Sequence, residues 1–86
     1  MTVLEIFDIT RKENFIYYRR EFTAKAHIDL PGKEHSGGIE FIIETAPTGK
    51  KDIHITFVDS VDYPLVPLML TLKEYILNMD RKGSLP

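Results

Sequence analysis

Two apolar alternations flank a single turn in this 86-residue chain: Ile39, Phe41 and Ile43, then Pro47-Thr48-Gly49, then Ile53, Ile55 and Phe57. Successive strand side chains point to opposite faces, so the pattern specifies a half-buried β-hairpin. Pairing Ile43 with Ile53, Phe41 with Ile55 and Ile39 with Phe57 leaves Pro47, Thr48 and Gly49 as the loop. Proline at the second turn position and glycine at the left-handed position suit a loop of this length with a bulge.

The rest of the fold follows outward from that hairpin. Val3 to Ile9 is rich in strand formers, and Arg11-Lys12-Glu13-Asn14 is a polar turn. The next stretch, 15–30, alternates again, with Ile16, Tyr18, Phe22, Ala24, Ala26, Ile28 and Leu30 on the inward face and Arg20 as its misfit. At ~3.3 Å per residue that stretch would span roughly 50 Å, against a width of about 30 Å for a compact chain of this size. A bulge or bend near 19–21 is therefore expected, turning Arg20 to water; the alternative is a snorkelling Arg20 near a sheet edge. Pro31 to Gly38 is dense in turn formers and is expected to be a mobile loop. Setting Ala26 against Phe41 and Ala24 against Ile43 then places small residues opposite large ones. In that register His27 faces Glu40 and Thr23 faces Glu44.

A helical pattern spans about 65–82. Asp62 is placed to cap it, and Pro67 implies an irregular or 3₁₀ approach over 62–66 before the regular helix. Arg81 and Lys82 suit the negative end of the helix dipole, and Gly83 is a natural stop. The expected fold is α+β: a four-stranded antiparallel meander (strands at about 2–9, 15–30, 38–46 and 51–59) with the C-terminal helix packed on one face, as one domain over 1–86.

Composition then bounds function. There are no cysteines, so neither disulfides nor a thiolate metal site can supplement a modest core. The net charge is −2 and evenly distributed, unlike that of a strongly basic polyanion binder. The N-terminus carries Glu5 and no basic segment of the signal type. The apolar run from Tyr63 to Leu72 is far short of the ~20 residues that span a bilayer. A cytoplasmic protein with no membrane partner is the expectation.

Two surfaces remain for function. Leu65, Leu68, Met69, Leu72, Tyr75, Ile76 and Met79 form the helix stripe that packs on a sheet. Val66, Leu70 and Leu77 form a flanking stripe beyond what one sheet contact needs, which marks them as candidates for an interface. On the outer sheet face, Tyr17, Arg19, Lys25 and His27 combine aromatic and basic character, as single-stranded nucleic-acid surfaces do. The ββββα order is also similar to the half-repeat of Pur-type nucleic-acid-binding domains, a likeness of element order alone. Glu40 and Glu44 share that face and would repel phosphates, so cross-strand charge pairing is the favoured reading.

Catalytic patterns are missing. His27, His35 and His54 lack the helical i, i+4 spacing of a metalloenzyme, although the expected register would let His27 and His54 flank Glu40. His54, Asp59 and Ser60 are too nearly contiguous to converge as a triad. Thr48-Gly49-Lys50-Lys51 is a hairpin turn, with Glu44 where a phosphate loop needs glycine. No obvious deep pocket is expected either. The expectation is a non-enzymatic interaction module without cofactor or metal, homo-oligomeric or binding another protein; the alternative is nucleic-acid binding.

Overall fold

A computed structural model describes residues 1–14 and 16–86. It is an α+β fold of four antiparallel strands, β1 (Thr2–Lys12), β2 (Arg19–Leu30), β3 (Lys33–Thr45) and β4 (Lys51–Phe57), followed by the helix α1 (Leu65–Arg81). The strands lie in sequence order, β1-β2-β3-β4, so β1 and β4 are the two edges. One face of the sheet buries Phe22, Ala24, Ala26, Ile28, Ile39, Phe41, Ile43, Ile53 and Ile55 against Leu68, Leu72 and Ile76 of α1.

The β3–β4 hairpin follows its residue pattern: Ile43 pairs with Ile53, Phe41 with Ile55 and Ile39 with Phe57. Gly49 has φ of 88° and its N–H donates to the Ala46 carbonyl at 2.8 Å, closing the turn. The β2–β3 connection departs from expectation. Pro31 and Gly32 alone turn the chain, Gly32 with φ of 77°, and Leu30 pairs directly with Lys33. The segment expected as a mobile loop is therefore the first half of β3. The pairing slides by four residues relative to the small-against-large register, so Phe22 rather than Ala26 opposes Phe41. The two rings stack with centroids 4.8 Å apart, a contact worth about 1 kcal/mol beyond area burial.

Gly37 and Gly38 lie in β3 because the chain leaving β4 turns in over them. A Cβ on Gly37 would sit 3.1 Å from the Asp59 carboxylate. The Gly38 N–H donates to Asp59 Oδ2 at 2.7 Å, which takes a ladder position that a β4 carbonyl would otherwise fill. Pairing to β4 stops there. Val61 and Tyr63 beyond it pack on the core.

The bend expected at 19–21 is absent, and the irregularities fall in β1 instead. Arg19, Arg20 and Glu21 pair regularly with Glu44, Ile43 and Ile42. The strand fits because it starts at Arg19, after a turn in which the Arg19 N–H donates to the Ile16 carbonyl at 3.1 Å. Phe15, expected on this strand, lies outside the described residues. In β1 the register shifts between Val3 and Glu5 and again between Phe7 and Thr10, where Asp8 has φ of 51°. Two shifts are needed because Val3, Ile6 and Ile9 are spaced by three, and strict alternation could not turn all of them to the core.

Arg20 consequently stays on the inner face, where it finds a partner rather than water. Its guanidinium donates two hydrogen bonds to Asp80 of α1, at 2.8 and 3.0 Å, and Lys51 of β4 donates to the same carboxylate. The Asp80 side chain is only 8% exposed and that of Arg20 25%. The hydrogen bonds from Arg20 outweigh the cost of burial and hold the Asp80 pKa down, from 3.8 to about 2. The same pairing raises Arg20.

The helix also begins earlier than expected. Pro64 is the N-cap and Leu65 the first helical residue, which puts Pro67 third, within the turn whose N–H groups have no helical acceptor. No side chain caps this end, and Asp62 pairs instead with Lys33 at 3.2 Å. At the other end Gly83, with φ of 68°, donates to the Asp80 carbonyl and Ser84 to that of Met79, a Schellman closure.

The Asp80 clamp has a pH signature. A carboxylate with a depressed folded pKa contributes stability that is fully present above its unfolded value and lost as pH falls through the folded one. In urea unfolding, the Asp80→Asn variant should be less stable by about 2 kcal/mol near neutral pH. The difference should shrink as pH falls from about 4 to about 2.

Candidate functional site

The two candidate surfaces lie on opposite sides of the molecule. On α1, Val66 is 71% exposed and Leu70 63%, whereas Leu77 is half-buried and packs against the core. The three were expected to be equivalent. They differ because the buried stripe comes closest to the sheet through Leu72 and Ile76, next to Leu77, while the first turns stand further out. Leu65, expected on the buried stripe, is exposed for the same reason: it lies one turn before Leu68, the first fully buried helical residue.

The clamp orients this stripe. Val66, Leu70, Leu77 and Asp80 share one side of the helix, and Asp80 touches Lys51 at the start of β4. The stripe therefore runs along the β4 side of the sheet.

On the outer sheet face, Arg19, Lys25 and His27 project from β2, with Tyr17 in the turn just before it. Tyr17 is 96% exposed. It meets Tyr18 edge to face, with ring centroids 5.5 Å apart. Each basic candidate has a carboxylate nearby: Arg19 has Glu21 at 3.5 Å, Lys25 has Asp8 at 3.6 Å and His27 has Glu34 at 3.0 Å. Lys12 and His54 similarly reach Glu40 and Glu44. Asp8 and Glu34 were hidden from sequence reasoning, one by the β1 irregularity and the other by the expected loop.

The four-residue slide also separates the constellation considered for metal. His27 faces Ser36, Glu40 faces Thr23 and Thr56, and His54 faces Ile42. Among the described residues, no group of three or more His, Asp or Glu side chains converges as a metal site. A broad, half-open concavity of about 750 Å³ lies at the rim, lined by Tyr17, Tyr18, Glu44, Pro47, Lys50 and Asp52. Sequence reasoning missed it, because it forms only where the turn before β2 meets the tip of the β3–β4 hairpin. No described helix is long and apolar enough to cross a membrane.

Comparison with known proteins supplies a family without an activity. The model of the BB_0187 family matches residues 1–81, and the chain belongs to that family. No curated protein matches it, and no solved structure does.

The unequal exposure of the stripe can be measured. Val66→Asp should change unfolding free energy by less than about 0.5 kcal/mol, as surface substitutions do. Leu77→Asp sets a charge against the core and should cost at least about 2 kcal/mol in the same titration.

Proposed function

We propose that this chain is a small non-enzymatic interaction module, homodimeric and cytoplasmic, whose dimer presents the remaining surface to another protein. The observation that carries the reading is the exposure of Val66 and Leu70, side by side on a helix whose opposite face is already spent on the core. Each large aliphatic side chain that moves from water into an interface contributes about 1.5–3 kcal/mol, and domains this small commonly enlarge their cores by oligomerising. The imidazoles support a non-catalytic role. His27 and His54 sit on separate strands, each beside a single carboxylate at the sheet surface.

Sedimentation tests the reading directly. The chain should sediment as a dimer at micromolar concentration, and Leu70→Glu should shift it to monomer with little change in unfolding midpoint. A compact monomer at high micromolar concentration would overturn the proposal.

The exposed Tyr17 and Tyr18 favour a second reading, the stacking of single-stranded nucleic acid. The carboxylates beside Arg19, Lys25 and His27 count against it, because they compete with phosphate for the same cations. Short oligonucleotides at ~50 mM salt, where phosphate contacts are strong, should show no binding in fluorescence anisotropy. Salt-dependent binding that is lost in Tyr17→Ala would reverse the preference.

A further inference from the structure

The two sheet edges are built differently. Along β1 the register shifts twice, and Asp8 takes a left-handed conformation between the shifts. Such irregularities break up the row of N–H and C=O groups that another strand would need. β4 pairs with β3 without a shift over Lys51–Phe57 and contains neither proline nor glycine.

The hydrogen-bond phase of β4 shows which of its groups are free. The Val58 N–H donates to Gly38 and the Ala46 N–H to Lys50, so the even-numbered residues of β4 exchange bonds with β3. In an antiparallel ladder the alternate residues direct N–H and C=O the other way. For Ile53 and Ile55 that direction is the open edge of the sheet.

This edge lies beneath the exposed stripe of the helix. With the helix toward the viewer and β4 running upward, L-residue geometry puts the free groups of Ile53 and Ile55 on the right. α1 runs downward, since Asp80 near its end meets Lys51 at the start of β4. The right-handed sense of such a helix turns Val66 and Leu70 to the right as well. An open strand edge and an apolar helical margin thus share one side of the molecule.

We infer that two copies of this chain join edge to edge along β4 across a two-fold axis, with the Val66 and Leu70 stripes closing above the seam. The inference rests on the self-association proposed above and specifies its geometry. Charge favours a second copy as the occupant. Centring the axis on Ile53 sets Asp52 of each copy opposite His54 of the other, two reciprocal pairs on the outer face. Among the described residues Asp52 has no cation within salt-bridge distance, and His54 has Glu44 at 3.5 Å. Lys51, the other charge on this strand, is already neutralised by Asp80.

Amide hydrogen exchange, followed by NMR beside sedimentation, tests this. The Ile53 and Ile55 amides should exchange rapidly at concentrations where the chain is monomeric. They should slow at least about tenfold as dimer forms, reflecting at least ~1.4 kcal/mol of protection. A dimer in which both amides still exchange freely would overturn the edge pairing and leave self-association through the helix standing. A monomer at every concentration would overturn both. Asp52→Lys should weaken the dimer several-fold and Asp52→Lys with His54→Glu should restore it. Protection at Ile53 and Ile55 without restoration would overturn the axis at Ile53.

Discussion

The carboxylate of Asp80 holds the two layers of this fold together. It lies in the last turn of α1, where the helix dipole disfavours an acid, and it is nearly buried. Arg20 from β2 and Lys51 from β4 offset both costs. Because these cations stand on different strands, the clamp sets the direction of the helix across the sheet and its rotation about its own axis. That rotation decides which apolar residues face the core and which overhang β4. A buried ion pair adds little net stability over well-packed apolar groups, and its better-attested use is to select one arrangement among several.

Much of the fold was legible because its errors were even-numbered. The β2–β3 pairing differs by four residues from the register that small-against-large packing favours. An even slide leaves every side chain on its original face, whereas an odd one would have turned the core outward. The buried residues of β2 and β3 could therefore be named correctly with the wrong partners. The tight Pro31-Gly32 turn decides the register, and the favourable stacking of Phe22 on Phe41 agrees with it. The glycines at 37 and 38 resembled a loop because their role is long-range: they make room for Asp59.

Arg20 shows the opposite limit. As the charged member of an apolar face it invited a local remedy, a bend or an edge. Its actual partner is sixty positions away. The candidate surfaces divide in the same way. Val66 and Leu70 were visible from helical periodicity, which depends on neighbours in sequence. Leu77 could not be told apart from them without knowing how closely each turn of the helix approaches the sheet. The carboxylates beside Lys25 and His27 were hidden because the irregular backbone of β1 and the early start of β3 place them.

The contrast between the two sheet edges also bears on stoichiometry. A chain with two regular edges can add neighbours on both sides, and strand pairing then continues without end, as it does in fibrils. Here the twice-shifted β1 closes one side and leaves β4 as the regular one. Association along sheet edges is thereby confined to a single direction, and a two-fold pairing uses that direction up. The irregular first strand acts as a chain terminator for assembly, and it does so without contributing a residue to the seam.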